Sequence, residues 1–405
     1  MKYLPLLIIA FLSLTSCDKS PIEQIKAVTE DKYPVANMPD EPLDKPLEIL
    51  REPKRLAMTT TWSAGVKDDG TLWTWGTGSL LRPAQTGQDP TPRPVEGIHD
   101  AVAVSGGGGH MLLLRKDGTV WGWGSNHNGE IDPRDKDTSI DELRQIKGID
   151  NVVDIVAGLK RSFFLTNDGY IYALGNSEYG SINGITVKKL DKPTKMEGFE
   201  NITRIEGSSF IYGITKDGKL LSNVPTHNAT IIKKLSNDYD VGVIPFDKPV
   251  VDISNGFSDL ALLNDGTVWS WGDWAYTGLN KGKQDIKNPQ RIKSLSKITN
   301  VGIHSVTTQK GEIYTWGTFV FKSNLTSIGS TKEYIFEPIL IAKNTPVLDF
   351  SNGFFGTGCI DKDGNAWFWG DNELGRRGTG KVYPEKFAPK DYILKPEKSI
   401  FNLHH

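Results

Sequence analysis

The sequence predicts an all-β chain folded as a seven-bladed β-propeller of four-stranded antiparallel blades, preceded by a signal peptide and tether. Three observations carry this. A turn glycine recurs seven times, at Gly70, Gly118, Gly169, Gly218, Gly266, Gly311 and Gly364, with spacings of 48, 51, 49, 48, 45 and 53 residues. Most copies continue into a short strand that ends in Trp-Gly, as in Val120-Trp121-Gly122-Trp123-Gly124. Before each turn lie two short apolar runs separated by a corner. Short strands at one fixed period are the pattern of radial repetition.

Each element has a local cause. Asp-Gly between apolar runs predicts a two-residue hairpin turn with positive φ at both positions. Beyond it, Trp121 and Trp123 alternate with small residues, so both rings share one face of a strand. Nine of the eleven tryptophans sit in these strands, the exceptions being Trp62 and Trp274. Rings that bury about 150–250 Å² each supply the contact between neighbouring blades. The strand pair before the turn reads clearly at 101–104 with 111–114, at 151–156 with 163–165, and at 250–253 with 260–263. The outer strand of the last copy is expected in Tyr392–Leu394. Ser399–Leu403 is left to extend a sheet or to cover the seam of the ring.

These repeats resemble those of the regulator of chromosome condensation family. Gly124-Ser125-Asn126-His127-Asn128-Gly129 and Gly370-Asp371-Asn372-Glu373-Leu374-Gly375 match its Trp-Gly and following Asn/Gly loop. Ser222-Asn223 departs from the pattern, and Gly311 lacks the preceding Asp. The resemblance covers roughly Lys54 to Leu394 and implies the propeller fold and a role in binding. Name-giving members are nuclear exchange factors that bind chromatin, a role not expected here. The secreted propeller-type β-lactamase inhibitors resemble the chain in blade count and hold a partner protein on one face.

The N-terminus carries an address. Lys2 precedes an apolar run from Leu4 to Leu14, too short for a bilayer span of about 20 residues and fitting a signal peptide. Leu14-Thr15-Ser16-Cys17 resembles the bacterial lipobox, with Cys17 as the lipid-bearing first residue of the mature chain. An ordinary signal peptide that happens to contain a cysteine is the alternative. The expected division is 1–16 lipoprotein signal peptide, 17–53 lipid-anchored Pro-rich tether and 54–405 propeller. Lipidation leaves Cys359 as the single free thiol. The expected place is a bacterial envelope, outer membrane or cell surface in preference to inner membrane.

Charge and motifs exclude several functions. With 47 basic and 49 acidic side chains the net charge is −2, which argues against nucleic-acid binding. Gly375–Lys381 imitates a phosphate loop, but Val382 stands where a hydroxyl is needed and no helix pattern follows. The acidic loop from Asp132 to Glu142 fits no calcium-loop spacing. No zinc, redox or nucleophile motif is present, so no cofactor and no catalysis are expected. Loops after the first and third strand of each blade emerge on one face, and the uniform Asp-Gly turns on the other. The first face collects the candidate binding residues Trp62, His110, Arg161, Phe210, Phe257, Trp274, Tyr276, Phe319, Phe354, Arg376 and Arg377. Aromatic and Arg side chains on loops make binding hot spots; the alternative is that they plug the axis or pack under their own loops. The expected function is a cell-envelope lipoprotein whose propeller binds a protein partner or acts as a scaffold, with inhibition of a partner enzyme as a narrower reading. The alternative is a carbohydrate-binding, less readily a carbohydrate-active, surface lipoprotein, with Asp259, Asp273 and Glu373 as its carboxylates.

Overall fold

The computed structural model describes residues 34–49, 52–78, 81, 88–177, 182–184, 186–223, 233–234, 241–317, 319–322, 331–351, 356–370, 372, 374–381 and 394–405. Seven antiparallel sheets, each four strands in sequence order from the inside outward, form the blades. Lys233–Lys234 adds a short edge strand to blade four, and Phe319–Lys322 pairs with Thr331–Tyr334 as a separate hairpin after blade six. The innermost strands are Leu56–Met58, Ala101–Gly106, Val152–Ala157, Ile202–Gly207, Val250–Ser254, Ile298–Gly302 and Val347–Ser351. Each contacts the next and the last contacts the first, so they close a ring around one axis.

The turns differ from the expected type. In blade two, Gly118 N–H donates to Arg115 O at 3.0 Å and Arg115 N–H to Thr119 O at 3.0 Å. Only Gly118 has positive φ, at 78°; Asp117 does not. A type I turn closed by a left-handed glycine therefore replaces the two-residue turn. Asp117 Oδ1 accepts from Thr119 N–H and hydroxyl, and that hydroxyl accepts from Trp121 Nε1 at 3.1 Å. Because only the glycine needs the left-handed region, the turn at Gly311 (φ 74°) forms without an Asp before it.

Ring closure also differs. The outer strand of blade seven is Glu397–Asn402, paired with Asn365–Gly370, rather than 392–394. Phe401 and Leu403 of this segment are buried against Leu56, Met58 and Trp75, so its apolar residues are set by the seam. Every blade is thus built from contiguous chain, and packing rather than strand exchange closes the ring. Trp75 Nε1 and Ser63 Oγ donate to Arg376 O at 2.7 and 2.9 Å, and Asp68 N–H donates to Leu403 O at 3.0 Å.

Residues 34–49, expected as part of the tether, lie docked as a strap. Val35 bridges to Ile339 of the outer strand of blade six. The strap then runs between blades five and six, with Met38 N–H donating to Ser294 O, to the blade-five turn, where Leu43 and Leu47 N–H donate to Asp265 O and Asn264 O. Ala36 is buried, and Met38, Leu47 and Ile49 pack onto the blade cores. Residues 1–33, with Cys17, lie outside the described residues.

Candidate binding face and axial cavity

The structure divides the predicted binding residues. Trp62 and His110 are buried, and so are Arg161, Arg376 and Arg377. Arg376 Nη1 donates to Thr60 O at 2.6 Å across the seam, and Arg377 Nη1 pairs with Glu397 at 2.9 Å within blade seven. Arg376 ties the seam of the ring and Arg377 braces its own blade, instead of facing a partner. The physical reason is that the loop after the Trp-Gly strand turns back under the neighbouring blade, where carbonyl groups need donors. His110 Nε2 lies 3.0 Å from Ser162 Oγ, which donates to Glu130 O at 2.7 Å. Full burial pushes the His110 pKa down to about 4 and shuts this pair away from any substrate. Phe354 and Glu373 lie outside the described residues, and of Phe319 only the strand is described.

Three aromatic residues do come together. Phe257, at the corner between the first two strands of blade five, is 48 % exposed. Its ring stacks on Tyr276 with centroids 4.7 Å apart, and Tyr276 packs against His304 in a tilted contact at 4.8 Å. Tyr276 and His304 are buried, so they act as the rigid backing of Phe257. Trp274 is half-buried and stacks on Phe336 at 5.4 Å. Phe210 and Phe257 both line a cavity of about 310 Å³ on the propeller axis.

The wall of this cavity holds charges that the sequence reading missed. Lys54, Asp154, Arg204 and Glu206 line it, while the corner residues Leu159, Phe210, Phe257 and Ile303 stand at its loop-face end. Asp154, Arg204, Asp252, Asn300 and Asp349 each occupy the first paired position after the bulge of an innermost strand. Their spacings of 50, 48, 48 and 49 residues were a readable signal, a polar residue recurring inside apolar runs. Arg204 Nε donates to Asp252 Oδ1 at 2.7 Å and Lys54 Nζ to Glu206 Oε2 at 2.6 Å. Burial pushes Asp154 and Asp349 up to about 6. Lys54 and Arg204, facing these carboxylates, are held in the charged form.

Carboxylates expected to serve a sugar site are otherwise engaged. Asp259 accepts from Tyr212 Oη at 2.6 Å and Asn255 Nδ2 at 2.5 Å, and Asp273 Oδ1 accepts from Ala275 N–H at 3.0 Å. Among the described residues no group of three or more His, Cys, Asp or Glu side chains is arranged to hold a metal. In the loop that imitates a phosphate site, Arg377 N–H donates to Asn372 Oδ1 at 2.9 Å, much as Ile131 N–H donates to Asn126 Oδ1 at 3.1 Å in blade two. It is a blade loop.

Residues 101–130, spanning the first turn and Trp-Gly strand of blade two, match the model of the regulator of chromosome condensation (RCC1) repeat. This segment is similar to one RCC1 repeat. Human E3 ubiquitin-protein ligase HERC2 is 28 % identical over 339 residues, covering 78 % of this chain and 6 % of HERC2. The chain thus spans a small part of that relative's length. The mouse regulator of chromosome condensation is 23 % identical over 328 residues, covering 74 % of this chain and 66 % of that protein. Among solved structures, Prp20p of Saccharomyces cerevisiae superposes with a TM-score of 0.63 at 19 % identity, covering 92 % of this chain and 88 % of Prp20p. Human WBSCR16 gives 0.63 at 19 % identity, with 80 % and 89 % covered. At these identities the structural likeness establishes the seven-bladed RCC1-type fold. Prp20p is known for its binding to Gsp1p and histones, and yeast RCC1 (Prp20) has been seen bound to Kap60.

Proposed function

We propose that this chain is a non-catalytic protein-binding propeller, carried by a lipoprotein of the bacterial envelope, that holds its partner on the loop face at the mouth of the axial cavity. The observation that carries the reading is Phe257: a large ring half in water, immobilised by Tyr276 and His304 behind it. A pre-ordered aromatic anchor beside a cavity loses little entropy when a partner covers it. RCC1-type propellers that bind proteins, such as Prp20p, support the same reading. The envelope address rests on Leu14-Thr15-Ser16-Cys17, and inhibition of an envelope enzyme is the narrower form of the proposal.

The test is capture from envelope and secreted fractions by three forms of the full chain. These are the native chain, Phe257→Ala with Leu159→Ala on the loop face, and Lys116→Glu with Lys362→Glu on the turn face. One protein retained by the first and third forms and lost from the second supports the proposal. Retention by all three, or saturable binding of polysaccharide alone, overturns it.

A further inference from the structure

The corner between the first two strands of a blade is closed by a backbone bond in blades one to four. Thr59 N–H donates to Trp62 O at 2.8 Å, Gly107 N–H to His110 O at 3.0 Å, Gly158 N–H to Arg161 O at 2.8 Å and Ser208 N–H to Phe210 O at 2.9 Å. Two of these corners are also locked to the next blade, Gly108 N–H to Gly158 O at 3.1 Å and Leu159 N–H to Ser208 O at 3.3 Å. The corner of blade five, Asn255-Gly256-Phe257, has neither kind of bond among the described residues. It is also seated more loosely. A Cβ at Gly107 or Gly158 would stand 2.1 Å from a carbonyl oxygen of the neighbouring corner, whereas at Gly256 nothing lies nearer than 3.3 Å. Asp273 N–H donates to Phe257 O at 3.1 Å and fixes the far side of this corner.

Side chains close the near side. Asn255 Nδ2 donates to Asp259 Oδ1 at 2.5 Å across the mouth of the corner, and Tyr212 Oη of blade four donates to Asp259 Oδ2 at 2.6 Å. The Trp271 indole, edge-on to the Tyr212 ring with centroids 6.2 Å apart, adds a third donor. All three donors are neutral, and among the described residues no cation pairs with Asp259. Tyr212 is held well above its ordinary value by burial and by the Asp259 charge, so it keeps its proton. Burial without a counter-charge pushes Asp259 up to about 6. A hydrogen bond to a carboxylate is roughly twice as strong as one to a neutral acceptor. The hold on Asn255 therefore weakens when Asp259 takes up a proton.

We propose that Asp259 is a pH-sensitive brace for the loop-face anchor: as a carboxylate it holds Asn255 and fixes the corner that carries Phe257, and as a carboxylic acid it releases that corner. This rests on the reading of Phe257 as the anchor for a partner and adds its regulation, because a partner meets a fully ordered corner only while Asp259 is ionised. The effect on global stability has the opposite sign. The folded value of Asp259 lies above the unfolded value of about 3.9, so its contribution to stability is present below pH 4 and is lost as the pH rises through 6. Acid thus loosens the corner without loosening the fold through this group.

The experiment is fluorine NMR of the full chain carrying 4-fluorophenylalanine, with the Phe257 signal identified by its loss in Phe257→Leu and followed between about pH 4.5 and 8. In the native chain the signal should move with a midpoint near 6 and narrow in acid as the corner becomes mobile. Asp259→Asn, neutral throughout, should show the acid position at every pH. Asn255→Ala, which cuts the link and keeps the carboxylate, should do the same. Tyr212→Phe, which keeps the link and removes one donor from the carboxylate, should raise the midpoint by about one pH unit. Near-ultraviolet circular dichroism shows that each variant is folded; should Asp259→Asn fail to fold, the other two carry the test. His304, beyond Tyr276, is pushed down to about 3 and titrates outside this range. A Phe257 signal that does not titrate, a midpoint that survives in Asp259→Asn, or one that stays in place in Tyr212→Phe overturns the proposal. No partner enters this measurement, so a silent Phe257 signal overturns the brace whatever the capture experiment returns.

Discussion

The ring of Phe401 stacks on that of Trp75, with centroids 5.4 Å apart and planes 29° apart, and so joins the last strand of the chain to its first blade. Gly65 makes room for this contact: a Cβ there would stand 2.4 Å from Phe401 Cζ. The propeller is therefore closed by a side chain pressed into a glycine-lined site rather than by a shared sheet.

Phe401→Ala should remove about 3–4 kcal/mol of unfolding free energy, the range for deleting a large buried ring. Gly65→Val should act on the same contact by overfilling it. Urea denaturation followed by tryptophan fluorescence reads both. A loss below about 1 kcal/mol for Phe401→Ala would mean that the backbone bonds at Asp68 and the Arg376 carbonyl suffice to close the ring.

The strap is expected to act as part of the fold. A chain beginning at residue 52 should be less stable than one beginning at residue 34 by more than about 3 kcal/mol, given about 0.8 kcal/mol per buried methylene. Its loss bares the cores of blades five and six, where Met38, Leu47 and Ile49 pack. Equal denaturation midpoints for the two chains would reduce the strap to a passive linker.

Acid should act on two sets of buried groups with opposite sign. Burial pushes the His304 pKa down to about 3, whereas a free imidazole protonates near about 6.5. Its contribution to stability is present above pH 6.5 and is lost as the pH falls toward 3. Burial pushes Asp154 up to about 6, above the unfolded value of about 3.9, so its contribution is present below pH 4 and is lost as the pH rises through 6. His304→Asn, which suits the positive φ of 48° at that position, should flatten the fall of stability between pH 6.5 and 4. Asp154→Asn should steepen it, adding about 1–2 kcal/mol at pH 7 and nothing at pH 4. Denaturation series at four pH values give the slopes; slopes that shift in the same direction would contradict the assignment.

The Arg204–Asp252 pair, 5 % and 3 % exposed, should behave as a buried ion pair. Arg204→Met alone should cost about 3–5 kcal/mol by stranding Asp252, and Arg204→Met with Asp252→Leu should recover most of that loss. A double variant no better than the single one would show that the remaining carboxylates set the cost.

Much of the architecture was legible because its causes are local. A left-handed glycine recurs in all seven turns, and in blades one, two and five an aspartate before it accepts from the threonine two residues on, with a tryptophan two residues beyond that; these features need no knowledge of the rest. The closing strand at 397–402 and the strap at 34–49 carry no repeat motif; they are defined by Trp75, Gly65 and Ser294, hundreds of residues away. The candidate site was legible as a face and not as a list of exposed side chains. Arg376 and Arg377 sit in a Gly-rich loop and read as exposed, yet their partners Thr60 and Glu397 lie 316 and 20 residues distant. Axial charges escaped notice because the residue type changes from blade to blade while the spacing stays fixed.

The most direct test of the account is hydrogen–deuterium exchange of the full chain with and without its captured partner. Protection is expected at the loop-face corners 207–210 and 255–257 around the axial cavity, with the Asp-Gly turns and residues 34–49 unchanged. Protection confined to the turn face or the strap would contradict it.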